Sequence, residues 1–99
     1  MLEARLLGVL KIIRDFQPVS VRELEAIVWA RGPDYGLEYS DWVCSSERCH
    51  SRSLRRDLEL LASLGLVNRG GALEVTNRGL ELLAVAIRDH VRNRGRRPG

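Results

Sequence analysis

The stretch from Cys49 to Val67, C-H-S-R-S-L-R-R-D-L-E-L-L-A-S-L-G-L-V, constrains the fold more than any other part of the chain. Leu54, Leu58 and Leu61 recur at the i, i+4, i+7 spacing of one helical face, and Leu64 and Leu66 continue the apolar side. Ser51 and Ser53 stand where such a helix begins, and either hydroxyl can cap its first free amides. Gly65 stops it, followed at once by the β-favouring pair Leu66-Val67. Outward on the first two turns are Ser51, Arg52, Arg55 and Arg56, with Glu59 further along. A leucine seam behind a serine/arginine face suits a reader of double-stranded DNA. The arginine fork grips phosphates or takes guanine O6 and N7 together, and short hydroxyls permit close approach.

S-L-R-R-D-L-x-x-L-x-x-x-G-L-V followed by N-R-G-G-A, Ser53 to Ala72, resembles the recognition helix and wing of winged-helix bacterial and archaeal transcription regulators. Over about 20 residues it is similar to the DeoR-type pattern T-I-R-R-D-L…L…G-L…R…G-G-A. Further on, V-T-N-R-G-L-E-L-L (Val75 to Leu83) resembles the L-T-x-x-G-x-x-L-L that ends many archaeal winged-helix domains. The resemblance implies a winged helix-turn-helix that binds DNA. It does not extend to a sugar-phosphate effector domain, for which too few residues remain.

With 99 residues the chain has room for one domain and a modest core. Hydrophobic residues at 44% and charged ones at 29% describe a globular chain. No apolar run approaches a membrane span and the N-terminus lacks a signal-peptide layout, so a cytoplasmic location is expected. The net charge of +3 is unevenly placed. Residues 1–47 carry five basic and eight acidic groups, 5 − 8 = −3, whereas residues 48–99 carry eleven and five, 11 − 5 = +6. The half with the candidate reading helix is the positive one, which favours a polyanionic partner over a merely solvated basic surface. Lys11 is the single lysine among sixteen basic residues. A GC-rich genome gives such a bias, as does selection for heat in some families, although arginine in place of lysine is no general mark of hyperthermophiles. A thermophilic archaeal source is one reading, under which an intracellular disulfide is plausible.

Residues 2–16 read as a first helix, with Leu2, Leu6, Val9/Leu10, Ile13 and Phe16 at helical spacing, ended by Gln17-Pro18. Ser20 and Glu23 form a capping box for a second helix, to about Ala30, with Val19 and Leu24 as hydrophobic staple. Its buried stripe is Val21, Leu24, Ile27 and Val28. Residues 31–48 form an insert, because a helix-turn-helix needs only a few residues at this point. Gly32-Pro33-Asp34 marks a turn, and Tyr39 to Cys44 is expected as a short helix capped by Ser40, with Tyr39, Trp42 and Val43 inward. Four acids and no base lie between Asp34 and Glu47, so the insert is expected to pack to the side, away from DNA. Cys44 and Cys49 admit three readings: two free thiols, a disulfide fixing the insert on the helix start, or a zinc site. C-x-x-x-x-C-H supplies at most three zinc ligands and matches no standard finger.

Leu66 to Arg69 and Ala72 to Val75 are expected as a hairpin on a two-residue Gly70-Gly71 turn, the glycines supplying positive φ. Arg69, beside its tip, is placed to reach a phosphate or the minor groove. Thr76 can cap a last helix, Asn77 to about Asn93. That helix carries more apolar surface than covering a small domain requires, so a homodimer through Leu80, Leu83, Ile87 and Val91 is expected. The tail, residues 94–99, reads as basic and disordered.

The chain is thus expected to be mostly α (α+β): a winged helix-turn-helix over 1–93, with an insert at 31–48, a two-stranded wing and a C-terminal helix at 77–93. Its expected function is sequence-specific binding of double-stranded DNA as a homodimeric transcription regulator. Ser51, Arg52, Ser53, Arg55, Arg56 and Arg69 would contact DNA. Asp57, off that face, would orient an arginine. No catalysis, cofactor, metal or membrane is expected. A protein-interaction module using the acidic aromatic insert is the alternative.

Overall fold

The computed structural model describes residues 2–95, with side chains through Arg88. Four helices and two small antiparallel hairpins make an α+β chain: α1 (Ala4–Phe16), α2 (Val21–Arg31), β1 (Trp42–Ser45), β2 (Arg48–Ser51), α3 (Arg52–Ser63), β3 (Val67–Asn68), β4 (Glu74–Val75) and α4 (Asn77–Gly95). The helices follow the sequence pattern closely. α1 buries Leu6, Val9, Leu10, Ile12 and Ile13, and α3 buries Leu54, Leu58 and Leu61. Leu24 and Val28 of α2, Leu83 of α4, and Leu66, Val67, Leu73 and Val75 complete one core. Each buried leucine is worth about 2–5 kcal/mol against alanine.

Local chemistry sets the helix ends. The Ser20 hydroxyl accepts from the Glu23 amide at 3.0 Å, and the Glu23 carboxylate accepts from the Ser20 amide at 3.2 Å, so the capping box forms. α3 ends in a Schellman arrangement: Leu66 N–H donates to Leu61 O and Gly65 N–H to Ala62 O, with Gly65 at φ 74°. Only glycine takes that φ without strain. Thr76 accepts from the Gly79 amide and opens α4, which runs to Gly95, two residues past the expected end. Arg94 is therefore helical, and residues 96–99 of the expected tail lie outside the described residues.

The insert differs from expectation. Gly32–Tyr35 forms a 3-10 turn closed by Gly36 at φ 73°, after which Leu37 drops into the core. Here α1 is approached so closely that a Cβ on Gly8 would stand 2.7 Å from the Tyr35 carbonyl oxygen. The short helix expected over Tyr39–Cys44 is instead extended chain leading into the β1–β2 hairpin, register Trp42↔Ser51 to Ser45↔Arg48. Alternation along the strand turns Trp42 inward and Val43 outward, where Val43 is 58% exposed. Trp42 packs edge-on against Trp29 and Tyr39.

The second hairpin is also corrected. Its register is Val67↔Val75 and Asn68↔Glu74, one residue away from a Gly70-Gly71 two-residue turn, and neither glycine has positive φ. Leu73 explains the shift. It leaves the hairpin to pair with Val19 through reciprocal backbone hydrogen bonds and is buried there, and Asn68 Oδ1 accepts from the Gly70 amide to shape the longer loop.

Candidate nucleic-acid interface

The start of α3 is built by Ser51 and Asp41. The Ser51 hydroxyl accepts from the Leu54 amide at 3.2 Å and donates to Asp41 Oδ1. The other Asp41 oxygen accepts from the Ser53 amide at 2.9 Å and the Ser53 hydroxyl at 2.8 Å. A carboxylate on a helix N-terminus is favoured by the dipole. The hydrogen bonds from Ser51 and then Ser53 hold Asp41 well down, at about 2. Two expectations change with this. Ser51 is 0% exposed and serves the cap, so it cannot touch a base edge. One acid of the insert does not stay to the side either: Asp41 sits on the first turn of the candidate reading helix, with both Ser53 polar groups turned to it.

Two acids are buried in this region, each matched by an arginine from another helix. Glu25 of α2, with 2% of its side chain exposed, accepts from Arg55 Nε at 3.1 Å and Nη2 at 3.3 Å, while Arg48 Nη2 stands 4.0 Å away. Hydrogen bonding to Glu25, then its charge, raises the Arg55 guanidinium further above its usual range. Asp57 of α3 accepts from Arg5 Nε at 2.7 Å and Nη2 at 3.2 Å, and from the Tyr39 hydroxyl at 2.6 Å. Burial, then the bond to Asp57, pushes the Tyr39 hydroxyl upward. Asp57 thus does hold an arginine, but one supplied by α1.

The expected DNA-contact residues therefore separate. Arg55 leans off the outer face to Glu25, with 47% of its side chain exposed. Arg52 and Arg56 stand outward on α3, and among the described residues neither makes a hydrogen bond or ion pair. Arg69 is exposed on the second hairpin and lines a cleft with Arg48 and Arg55. Sequence reasoning missed Arg48, Glu25 and Arg5. Glu25 was legible, because Val21, Leu24, Glu25 and Val28 fall at i, i+3, i+4, i+7 and place an acid inside an apolar stripe.

Cys44 and Cys49 are joined by a disulfide across paired positions of the first hairpin. Both sulfurs are thereby taken from the free-thiol and zinc readings. Among the described residues no three His, Cys, Asp or Glu side chains gather as a metal site requires. No described helix is long and apolar enough to cross a membrane.

On α4, the four residues expected at a dimer face do not act alike. Leu83 is 1% exposed and belongs to the chain's own core, whereas Leu80 and Ile87 are exposed; the Val91 side chain lies outside the described ones. On the other flank, Leu64, Leu66, Leu82 and Val85 line an open apolar hollow of about 380 Å³. Comparison with protein-family models, with curated proteins and with solved structures gave no match.

Proposed function

We propose that the chain is a winged-helix module that binds double-stranded DNA through the outer face of α3, as a cytoplasmic, homodimeric transcription regulator with no catalytic step. The observation that carries this reading is the state of Arg52 and Arg56. A folded chain spends Arg5 and Arg55 on buried acids, yet leaves these two outward and one turn apart on a helix of the more basic half. Outward arginines can grip backbone phosphates or take the O6 and N7 edge of a guanine. The order helix, helix, hairpin, helix, hairpin, helix supports the same reading, with β1–β2 as an insertion ahead of α3. Asp41 restricts the pose, because its charge repels phosphate from the Ser53 side of the first turn of α3. The duplex would lie along the side of the helix carrying Arg52 and Arg56. Exposed Leu80 and Ile87 support pairing of two copies through α4.

The test is binding to a random duplex titrated against salt, for the native chain and for Arg52→Ala/Arg56→Ala. Two lost phosphate contacts flatten the slope of log affinity against log salt by about 1.8, at about 0.9 per phosphate. No binding at low salt, or binding indifferent to both arginines, refutes the placement. One observation favours the second reading, a protein-docking module. Trp29 is 52% exposed and Val43 more so, beside Trp42 on the insert. A chain that ignores DNA yet loses a protein complex on Trp29→Ser/Val43→Ser would establish that reading instead.

A further inference from the structure

We propose that the cleft between α2, β2, α3 and the second hairpin holds one backbone phosphate of the duplex through Arg48, Arg55 and Arg69, an inference that rests on reading α3 as the DNA-contacting helix. The insert hairpin then joins the DNA surface through Arg48.

Three elements each contribute one arginine to the lining of this cleft of about 330 Å³. A water takes about 30 Å³ of liquid, so the space has ample room for a phosphate group. Glu25 at its floor is almost wholly buried and already bonded, so its charge is spent on Arg55. Arg55 uses two of its five N–H donors there and keeps three. Arg48, at 4.0 Å from Glu25, is beyond hydrogen-bond length and keeps all of its donors. Arg69 makes no hydrogen bond or ion pair among the described residues. Counting Glu25 and the exposed Glu59 against the three arginines leaves 3 − 2 = +1 around the cleft. Unspent donors around a net positive hollow are what a phosphate oxygen needs. Glu25 also has a positive use here: its paired hydrogen bonds fix the Arg55 fork before DNA arrives, which lowers the ordering cost of binding.

The hairpin places Arg48 for this purpose. Arg48 pairs with Ser45 next to the turn, one register pair from the Cys44–Cys49 cross-link, so its backbone is held on both sides. Its acidic neighbour Glu47 lines an adjoining hollow with Arg22, Glu23 and Arg48 itself.

The experiment is fluorescence anisotropy of a labelled random duplex from 50 to 200 mM NaCl. It compares the native chain with Arg48→Ala/Arg69→Ala, with Arg52→Ala/Arg56→Ala, and with Arg78→Ala on α4 as a control. All four proteins are first checked for an unchanged thermal midpoint. Loss of one phosphate flattens the salt slope by about 0.9, so the affinity lost across that range shrinks by a factor of about 3 to 4 in Arg48→Ala/Arg69→Ala and stays native in Arg78→Ala. If the cleft variant keeps the native slope and affinity while Arg52→Ala/Arg56→Ala weakens binding, the cleft is refuted and the α3 reading stands. If the native chain does not bind the duplex at low salt, both are refuted.

Discussion

Replacing Arg55 by alanine removes both hydrogen bonds that satisfy the Glu25 carboxylate, whose side chain is 2% exposed. Arg48 remains, but 4.0 Å away and without a hydrogen bond. Breaking a buried ion pair from one side costs about 3–5 kcal/mol, because the surviving charge is stranded in low dielectric. Here the arginine end is about half in water, which screens the pair and brings the expected loss to about 2–3 kcal/mol. In a domain of this size that lowers the thermal midpoint by on the order of 10–20 °C. Removing both charges, as Glu25→Met/Arg55→Ala, strands nothing and should return stability to within about 1 kcal/mol of native. Urea unfolding followed by circular dichroism measures all three proteins. Arg55→Ala unfolding at the native midpoint would refute the reasoning, as would a double variant no more stable than Arg55→Ala. The result also governs DNA work: a loss of affinity in Arg55→Ala mixes folding with binding, whereas Arg56 makes no hydrogen bond or ion pair among the described residues.

Three other outcomes follow from local geometry. The Asp41 carboxyl sits at about 2, below its ordinary 3.8, through bonds from Ser51 and Ser53. Its folded value lies below the unfolded one, so its contribution is complete above the ordinary value and fades as pH falls through the folded one; Asp41→Asn should flatten acid unfolding in that window, and identical profiles would refute the cap. In Gly79→Ala the new Cβ would stand 2.5 Å from the Leu66 carbonyl oxygen and 2.6 Å from Val75 Cγ1. That clash outweighs alanine's better helix propensity, for a net loss of about 1–3 kcal/mol by urea unfolding, and a stabilised variant would contradict the packing of α4 on Leu66. Opening the Cys44–Cys49 bond with a dithiol reductant frees a short loop worth roughly 2 kcal/mol in chain entropy, so the urea midpoint should fall; a midpoint indifferent to reductant would mean that the bond constrains nothing.

The helices were legible because their signals are local. Ser20 and Glu23 state a capping box within four residues, and the 54, 58, 61 leucine spacing admits one buried face. The hairpins were not, because distant partners decide them. Gly70-Gly71 favours a tight turn on local grounds, but Leu73 finds a backbone partner in Val19, more than fifty positions away, and the register shifts by one. The insert was misread for a similar reason. Trp42-Val43-Cys44 fits a helical turn or a strand in so short a window, and what selects the strand is pairing with Arg48–Ser51, including Cys44 opposite Cys49.

The same contrast explains which arginines are left for a partner. Leu54, Asp57, Leu58 and Leu61 repeat in α3 the pattern of Val21, Leu24, Glu25 and Val28 in α2: i, i+3, i+4, i+7, with an acid inside the stripe. An acid at such a position is carried into the core by its neighbours, and a buried carboxylate must find a cation or hydrogen-bond donors. Each acid therefore predicts a captive arginine, although the sequence does not say which one; the fold supplies Arg55 to Glu25 and Arg5 to Asp57. R-R-D-L reads as two equivalent basic residues until that demand is counted. Afterwards Arg55 and Arg56 are different in kind, the first anchored between two helices and the second open to solvent. An interface that uses both would keep Arg55 as a fixed fork and Arg56 as an adaptable contact. Charge-preserving Arg→Lys exchanges separate the two roles: lysine at 56 keeps a point charge for phosphate, whereas lysine at 55 loses the planar pair of donors that Glu25 requires.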